Sequence, residues 1–314
     1  MQTKTPMSTG KRKREDVEEH QPTKRVVSPE ASGNGANKVE ADIVDVVNAL
    51  PIVEFILRYV PPSVLGLKIP VEVPASNGNS DMTSKEKQLE TVVKPATQDG
   101  RHTVTYCPAI YSSSDIPTRY YDACFNLIHK TSYATYKASS TGWSARKKRD
   151  EMLLDDMRYL LLIRDRLPDE NEVEESQTGV RKSSRQKRSL QKDNNKAGAG
   201  PLPLLGGFMS FMTTYEDDFP VLYLYEIHLD PLLQNRGIGR TLMTVFEDIA
   251  GNIGRLKKTM LTVFRSNEAS RRFYERLGYG VDEFSPEPRV LRGGVVRECD
   301  YLILSKEVNA EGSI

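Results

Sequence analysis

The 314-residue sequence is poor in cysteine and histidine, and it lacks a long apolar run. Its three cysteines and four histidines are widely spaced and lack the paired spacing of metal ligands, so the sequence predicts no metal site. An odd number of separated cysteines favours reduced core thiols in an intracellular protein over a disulfide framework. No apolar run reaches about 18 residues and no signal peptide opens the chain, so we expect no membrane contact and no secretion.

The sequence also lacks an excess of charge of one sign. Its 44 basic and 43 acidic side chains give a net charge of +1, so any attraction to nucleic acid has to come from local patches. One patch lies in residues 1–37, a stretch without a periodic apolar face that we expect to be a disordered basic tail. Its clusters Lys11–Arg14 and Lys24-Arg25 fit a bipartite nuclear-import signal or an anionic-surface contact, and equally a solvated tail.

A second charged stretch, at about residues 167–200, carries an acidic block followed by a basic block. Such blocks cannot form a core, and the stretch separates two predicted strands, so we expect a disordered insert in a hairpin. Its basic half fits contact with nucleic acid or a partner, and it also fits an insertion that is merely tolerated.

The strongest pattern in the chain runs from Val221 to Arg240. Val221–Leu229 is an unbroken run of β-forming residues, and Asp230-Pro231 ends it because proline cannot donate to the ladder. A glycine-bearing turn, 234–240, leads into an amphipathic helix with Leu242, Phe246, Ile249 and Ile253 on one stripe. The first N–H groups of a helix have no internal acceptor, and glycine lets a phosphate approach the backbone closely. This order therefore predicts an anion site.

The turn itself reads Gln-x-x-Gly-x-Gly at 234–239, which differs from the G-x-G-x-x-G of dinucleotide-binding folds. It resembles the acetyl-CoA loop of the GNAT acetyltransferases. The downstream run from Asn267 to Tyr279 resembles the second half of the same cofactor site. The resemblance covers about residues 143–306. It implies an α/β (α+β) fold with a central mixed β-sheet and flanking helices, and we expect one such domain at 38–314 with an N-terminal helical extension.

The GNAT resemblance also implies which residues hold acetyl-CoA. Asn267 and Tyr274 would approach the pantetheine arm and the sulfur. The remaining cofactor-binding positions are Ile227, His228, Leu229, Gln234, Asn235, Arg236, Gly237, Ile238, Gly239 and Arg240.

A narrower resemblance concerns the acceptor. Gly142-Trp143-Ser144, the run 147–152, Tyr223–Glu226, Leu261–Phe264 and Cys299–Tyr301 in this order resemble the NatD-type N-terminal α-amino acetyltransferases. Those enzymes modify histone tails that begin Ser-Gly-Arg-Gly, such as that of histone H4. The implied substrate-binding residues are Trp143, Glu216 and Tyr301, with Tyr223, Tyr225 and Glu226 at the reacting end. A second acidic position of that family is occupied here by Thr214. The carboxylate that would bind the substrate arginine is therefore missing at this position, unless Asp217 or Asp218 supplies it.

The residue types suit N-terminal acetylation. An α-amine has a pKa roughly 2.5 units below that of lysine, which lowers the cost of deprotonation by about 3.5 kcal/mol. A glutamate, through water, or a tyrosine relay then suffices as general base. We assign this role to Glu226, with Tyr274 as acid toward the thiolate. Strict alternation places Glu226 opposite Tyr223 and Tyr225, but a β-bulge would bring the three together and expose N–H groups to the thioester carbonyl.

A purely structural role is the alternative interpretation for each of these side chains. Glu226 could be a strand-end carboxylate facing a lysine, and Tyr274 and the sheet tyrosines could be ordinary core aromatics. Trp143, the single tryptophan, could be a core anchor. Two other functions fit the same sequence, a GNAT enzyme for lysine or another amine and a non-catalytic chromatin- or ribosome-binding module. We expect a monomer in nucleus and cytoplasm that meets histone tail peptides, with the basic segments open to ribosome or chromatin contact.

The remaining elements follow from periodicity and capping. Helices are predicted within 39–60, from Ser114-Asp115-Ile116-Pro117 to Ala138, and from Asn267 to Gly278. Further strands are predicted at Thr103–Cys107, Tyr159–Ile163, Leu204–Thr214, Lys258–Phe264 and Cys299–Leu304.

Overall fold

A computed structural model describes residues 41–74, 101–165 and 203–308, apart from 291 and 295. The predicted basic tail and the predicted insert at 167–200 lie outside these ranges. Three short helices begin the described chain: α1 (Ile43–Asn48), α2 (Ile52–Tyr59) and α3 (Pro62–Leu65). The helical structure predicted within 39–60 is present as α1 and α2, which are separated at Pro51 because the residue before a proline disfavours the helical region.

The N-terminal helices are attached to the sheet by buried contacts. Phe55 is fully buried in the main core cluster, and the guanidinium of Arg158 lies 4.2 Å from the centroid of its ring. Arg158 Nη2 donates to the carbonyl of Val47 at 2.7 Å, and Asn48 Nδ2 donates to the carbonyl of Thr213 at 2.9 Å. Burial lowers the pKa of Arg158 to about 10, so the side chain still carries its charge at neutral pH.

In the described part of the chain, eight strands form one mixed sheet in the order β1-β2-β3-β4-β5-β6-β10-β7. They are β1 (Ile69–Pro74), β2 (Arg101–Ser112), β3 (Arg158–Arg164), β4 (Leu205–Glu216), β5 (Phe219–Leu229), β6 (Lys258–Phe264), β7 (Gly280–Val281) and β10 (Tyr301–Glu307). A separate pair, β8 (Arg289–Val290) and β9 (Val296–Arg297), forms a small hairpin. Neighbouring strands are antiparallel except β5 and β6, which run parallel.

Four further helices cover the two faces of the sheet: α4 (Thr118–Ala138), α5 (Ala145–Glu151), α6 (Ile238–Ile253) and α7 (Glu268–Glu275). Buried side chains of α1, α2, α3, α6 and α7 share one core cluster. Those of α4 pack into a second cluster, with Met152 at the end of α5. The predicted mixed sheet with flanking helices is therefore confirmed.

The sheet is irregular at its centre. Ser210 of β4 opposes Glu226 and Phe211 opposes Leu224, so Tyr225 is an extra residue, a β-bulge in β5. The parallel pairing of β5 with β6 ends at Leu224 opposite Leu261, although β5 continues to Leu229 and β6 to Phe264. The two strands therefore separate beyond Leu224 and leave an opening in the sheet.

Several predicted boundaries were wrong, each for a local reason. Strand β2 extends far past Cys107, because its pairing with β3 continues through Pro108, which costs the ladder a single donor. Helix α4 begins at Thr118 with Pro117 at the N-cap and no side-chain cap, and α7 ends at Glu275, with Gly278 at φ +89° after it. Strand β10 begins at Tyr301 rather than Cys299.

The cysteines and helices bear on two other expectations. All three cysteines are free, but Cys124 is buried whereas Cys107 and Cys299 are only half-buried, so a core position holds for one of them. Among the described helices, none combines the length and the apolar character that a membrane crossing requires.

Candidate active site

The bulge at Tyr225 decides which side chains of β5 share a face. Tyr225 packs against the α4 cluster, and its ring lies 5.5 Å from that of Tyr223. Glu226 contacts Tyr136 of α4, and His228 contacts Thr131 of the same helix. Tyr223, Tyr225, Glu226 and His228 therefore lie on one side of the sheet, so the bulge expected from the resemblance is present. Without it, alternation would have turned Glu226 to the other side.

Glu226 is the centre of a buried charge network. Its Oε1 accepts from Lys148 Nζ at 2.9 Å and from Tyr136 OH at 3.0 Å, and its Oε2 lies 2.5 Å from His228 Nε2. Lys148 also donates to Glu151 at 2.6 Å, and the side chains of all three charged residues are at most 7% exposed. Both carboxylate oxygens of Glu226 are thus occupied.

The network fixes the charges of its members. Burial alone would raise the pKa of Glu226, but Lys148 and then His228 outweigh it and hold the pKa well below its ordinary value. Burial would lower the pKa of Lys148, but Glu226, Tyr136 and Glu151 raise it well above its ordinary value. Glu226 and Lys148 are therefore an ion pair at neutral pH. Glu226 does face a lysine, in agreement with the interpretation of this residue as a structural carboxylate. Its role as general base stays a prediction.

Two cavities meet at the opening between β5 and β6. The larger, about 990 Å³, lies between the ends of these strands and is lined also by α4 and α7. The second, about 660 Å³, is lined by β5, β6, β10 and the α4–α5 region. Their shared lining residues are Tyr136, Leu224, Tyr225, Thr262 and Phe264. A ligand in one cavity can thus meet a ligand in the other at the bulge.

The larger cavity adjoins the glycine turn. Gly237 is the N-cap of α6 with φ +80°, and Asn235 has φ +59°, so the turn depends on left-handed backbone that glycine and asparagine adopt most readily. Helix α6 begins at Ile238, and its first N–H groups have no intrahelical acceptor. The turn and the helix N-terminus together suit a diphosphate.

Most predicted cofactor residues lie at this cavity or in its turn. Those that line the cavity are Ile227, His228, Leu229, Gln234, Asn267 and Tyr274. Asn235, Arg236, Gly237, Ile238, Gly239 and Arg240 form the turn and the start of α6, where Ile238 is buried in the core. The side chain of Asn267 caps α7 by accepting from Ser270 N at 3.2 Å. The donor set and the cavity therefore fit a nucleotide diphosphate with an extended arm.

The second cavity is aromatic with charged groups at its wall. Tyr223, Tyr225 and Tyr301 line it, together with Lys148, Glu151 and Asp300. Burial raises the pKa of Tyr223, of Tyr225 and, in the other cavity, of Tyr274, so these phenols remain protonated and can donate hydrogen bonds at neutral pH.

Asp300 ties the mouth of this cavity to the chain after α4. Its Oδ2 accepts from the backbone N–H of Ser140 at 2.6 Å. Thr141, the next residue, lines the cavity. This contact holds the α4–α5 linker against the start of β10.

Two predicted substrate residues are placed elsewhere. Trp143 packs in an aromatic group with Tyr136 and Phe125, at ring distances of 5.6 and 5.9 Å, and lines neither described cavity. Glu216 is buried at the end of β4, opposite Phe219, and it too lines neither of the two described cavities. Thr214 is buried too. A role for these residues in substrate binding stays a prediction.

Sequence reasoning missed Lys148, Tyr136 and Thr131 as site residues. The signal for Lys148 is its spacing from Glu151, at i and i+3, in a charged run that is part of the narrower resemblance. The contact of Lys148 with Glu226 spans 78 residues, so no local pattern could reveal it.

Comparison with known proteins agrees with this geometry. Residues 164–279 match the family model described as "Acetyltransferase (GNAT) family". The chain is 35% identical over 124 residues to N-alpha-acetyltransferase 40 of Saccharomyces cerevisiae. That match covers 32% of this chain and 44% of the yeast protein, so it spans less than half of the relative.

Solved structures also resemble the chain. One is Arabidopsis thaliana NAA60 in complex with a bisubstrate analogue, at 10% identity and TM-score 0.36, covering 65% of this chain and 99% of that one. Another is the PaiA N-acetyltransferase of Thermoplasma acidophilum in complex with coenzyme A, at 16% identity and TM-score 0.37, covering 64% and 98%. The stretch that matches the GNAT family model, residues 164–279, contains β5, the glycine turn and α7.

Proposed function

We propose that the protein transfers acetyl from acetyl-CoA to the α-amine of a protein N-terminus, with the Ser-Gly-Arg-Gly end of histone H4 and the related histone 2A tail as substrates. The observation that carries the proposal is the meeting of the two cavities at Tyr225. One cavity adjoins a glycine turn and a helix N-terminus that suit a diphosphate, and the other is lined by Tyr223, Tyr225 and Tyr301. The match to N-alpha-acetyltransferase 40 supports an N-terminal amine as acceptor.

The residues at the meeting point suit the chemistry of acyl transfer. Gln234, Asn267 and the N-terminus of α6 would hold the diphosphate and arm, so that the thioester points to the bulge. The extra residue of a bulge is left out of the ladder, and a backbone N–H there can stabilise negative charge on the thioester carbonyl oxygen. Tyr274 lines the same cavity as a protonated phenol, and in this proposal it would donate to the departing thiolate.

The acceptor cavity favours an amine that loses its proton readily. The α-amine of a peptide has a pKa of about 7.7–8.0, against about 10.4 for lysine, so roughly a tenth to a sixth of it is free base at pH 7. No strong base is then required, which fits a site whose carboxylates are already ion-paired.

The test is acetylation of a Ser-Gly-Arg-Gly peptide and of the same peptide with a blocked N-terminus and an added internal lysine. Mass spectrometry should show one acetyl group on the first peptide and none on the second. Acetylation of the blocked peptide at lysine would instead establish the alternative acceptor, and modification of neither peptide would overturn the proposal.

We further infer that the protein acts as a monomer in nucleus and cytoplasm on histone tails. The basic clusters at Lys11–Arg14 and in 181–188 support import or contact with chromatin or the ribosome. Fluorescence imaging of the full chain and of a variant with neutral residues at 11–14 tests the import signal. Equal nuclear fractions would count against it.

A further inference from the structure

His228 and Thr131 form an extension of the charge network that the proposed reaction does not yet use. His228 Nδ1 lies 2.6 Å from Thr131 Oγ1, and Thr131 Oγ1 lies 2.8 Å from the carbonyl oxygen of Leu127. His228 is 8% exposed, and both His228 and Thr131 line the larger cavity beside Glu226. A histidine thus bridges the ion-paired carboxylate and a hydroxyl group at the cavity wall.

The single hydroxyl hydrogen of Thr131 allows two arrangements. When it points to the carbonyl of Leu127, Thr131 must accept from Nδ1–H, and His228 donates from both nitrogens as the imidazolium. When the hydroxyl hydrogen of Thr131 points to Nδ1 instead, His228 is the neutral imidazole, and its Nε2–H donates to Glu226. Rotation of one hydroxyl therefore lets His228 gain or lose a proton with both nitrogens hydrogen-bonded in either state.

The surrounding charges single out His228 as the member that can change. From β5, Glu226 faces Nε2, and Asp230 further along is paired with Lys130 at 2.8 Å. From α4, Thr131 faces Nδ1, and from β4 the ring of Phe208 stacks at 5.6 Å. Lys148 and Glu151 of α5 act through Glu226 and are bound to each other. Lys148 holds the Glu226 carboxylate as an anion. Among the described contacts, no lysine or arginine side chain is paired with the ring of His228.

We propose that His228 and Glu226 act as one proton-holding pair in the acetyl transfer proposed above, with the charge of His228 changing during turnover. Glu226 keeps its charge and positions His228. The inference rests on the proposed function and adds a residue to it.

The proton balance is as follows. The substrate ammonium gives one proton, through water in the cavity, to the neutral imidazole of His228, which becomes the imidazolium paired with Glu226. The free amine forms the C–N bond to the thioester carbonyl, the C–S bond breaks, and the second proton of the amine ends on the thiolate sulfur. His228 then releases its proton to solvent.

The experiment compares kcat as a function of pH between wild type and His228→Gln, with a Ser-Gly-Arg-Gly peptide. Glutamine can still donate to Glu226 and accept from Thr131, but it cannot titrate. We expect the ratio of wild-type to variant kcat to be about 100 at pH 8, the lower end of general acid–base contributions. It should fall toward about 1 as the pH is lowered, because an imidazole that already holds a proton on both nitrogens cannot accept one from the substrate. Taking the ratio cancels the titration of the substrate amine.

Two controls separate this inference from a structural role and from failure of the proposed function. Wild-type turnover of the peptide tests the proposed function first. A ratio that is constant with pH, or within about twofold throughout, overturns the proton-holding pair, since a purely structural loss would not follow pH. Lys130→Met removes a charge from α4 one residue before Thr131. Its kcat as a function of pH shows whether a change of charge on α4 alone alters the pH dependence.

A second pair of variants keeps the test open if His228→Gln does not fold. Thr131→Val has the shape of threonine without the rotating hydroxyl, and Thr131→Ser restores the hydroxyl. We expect Thr131→Val to lower kcat at pH 8 and to flatten its pH dependence, and Thr131→Ser to restore both in part. Equal profiles for the two variants would overturn the rotation step.

Discussion

Lys148 exchanges its hydration for two carboxylates at a position where its side chain is only 5% exposed. Removal of one partner from such a group costs more than the ion pair contributes, because the charges that remain are buried without compensation. Here Glu226 and Glu151 would be left beside each other, one on β5 and one on α5.

We therefore expect Lys148→Met to lower the free energy of unfolding by about 3–5 kcal/mol, measured by urea denaturation at pH 7. Arg58→Met removes an exposed ion pair with Glu54, at 2.7 Å, and should cost less than about 1 kcal/mol. A loss for Lys148→Met no larger than that of Arg58→Met would show that the network is not a stabilising element.

The same network has a pH signature. Because the pKa of Glu226 is lower in the folded than in the unfolded protein, its contribution to stability is fully present above about pH 4.3, the unfolded value. The contribution is lost as the pH falls through the folded pKa. In Lys148→Met the main cause of the low pKa is gone, so less stability remains to be lost in acid.

At the scale of elements, the bulge in β5 positions more of the site than any helix does. Tyr223, Glu226 and His228 share a face because Tyr225 is an extra residue. Deletion of Tyr225 would restore regular pairing and leave each of these three side chains on its present side of the sheet. It would also remove the unpaired N–H that we place at the thioester carbonyl.

We expect a Tyr225 deletion to fold, with a cooperative thermal transition, but to lose about 100-fold or more in kcat, as for loss of an oxyanion donor. Tyr225→Phe keeps the bulge and the ring, so its loss should be clearly smaller in the same assay. Equal losses for the two variants would mean that the hydroxyl of Tyr225, not the bulge, matters.

The elements show what a sequence can predict. The bounds of β6 agree with the prediction at Lys258–Phe264, because a run of β-formers next to a strong helix is unambiguous. The two-residue strands β7, β8 and β9 have exposed side chains and therefore no apolar period that could announce them. Helix α5 was not predicted, since its buried residues are a lysine and a glutamate and therefore form no apolar stripe.

The candidate site was predictable where local sequence determines it. The strand, the glycine turn and the Asn267 cap follow from consecutive residues, and the bulge followed only from family resemblance. The contacts of Glu226 with Lys148 and of His228 with Thr131 join distant parts of the chain. Their geometry depends on the complete fold, because α4 and α5 must first pack on the sheet.

At the scale of the whole molecule, the larger cavity is lined by α4, β5, β6 and α7, which belong to both core clusters. A ligand bound there contacts both faces of the sheet, so it should stabilise the domain as one unit. Coenzyme A at about 100 times its Kd would add about 2.7 kcal/mol by mass action. For a domain of about 200 residues this corresponds to a rise in Tm of roughly 5–10 °C.

Two glycines of α6 give a matched pair for this measurement. Gly251 lies inside the helix with open space at its Cβ position, so Gly251→Ala should raise Tm slightly and keep the full coenzyme A shift. Gly237 has φ +80° at the N-cap, where alanine costs about 1–2 kcal/mol and tilts the N–H groups that we expect at the diphosphate. Gly237→Ala should therefore lower Tm and reduce the shift, measured by calorimetry. No shift in wild type, or an equal shift in both variants, would contradict a diphosphate held at this turn.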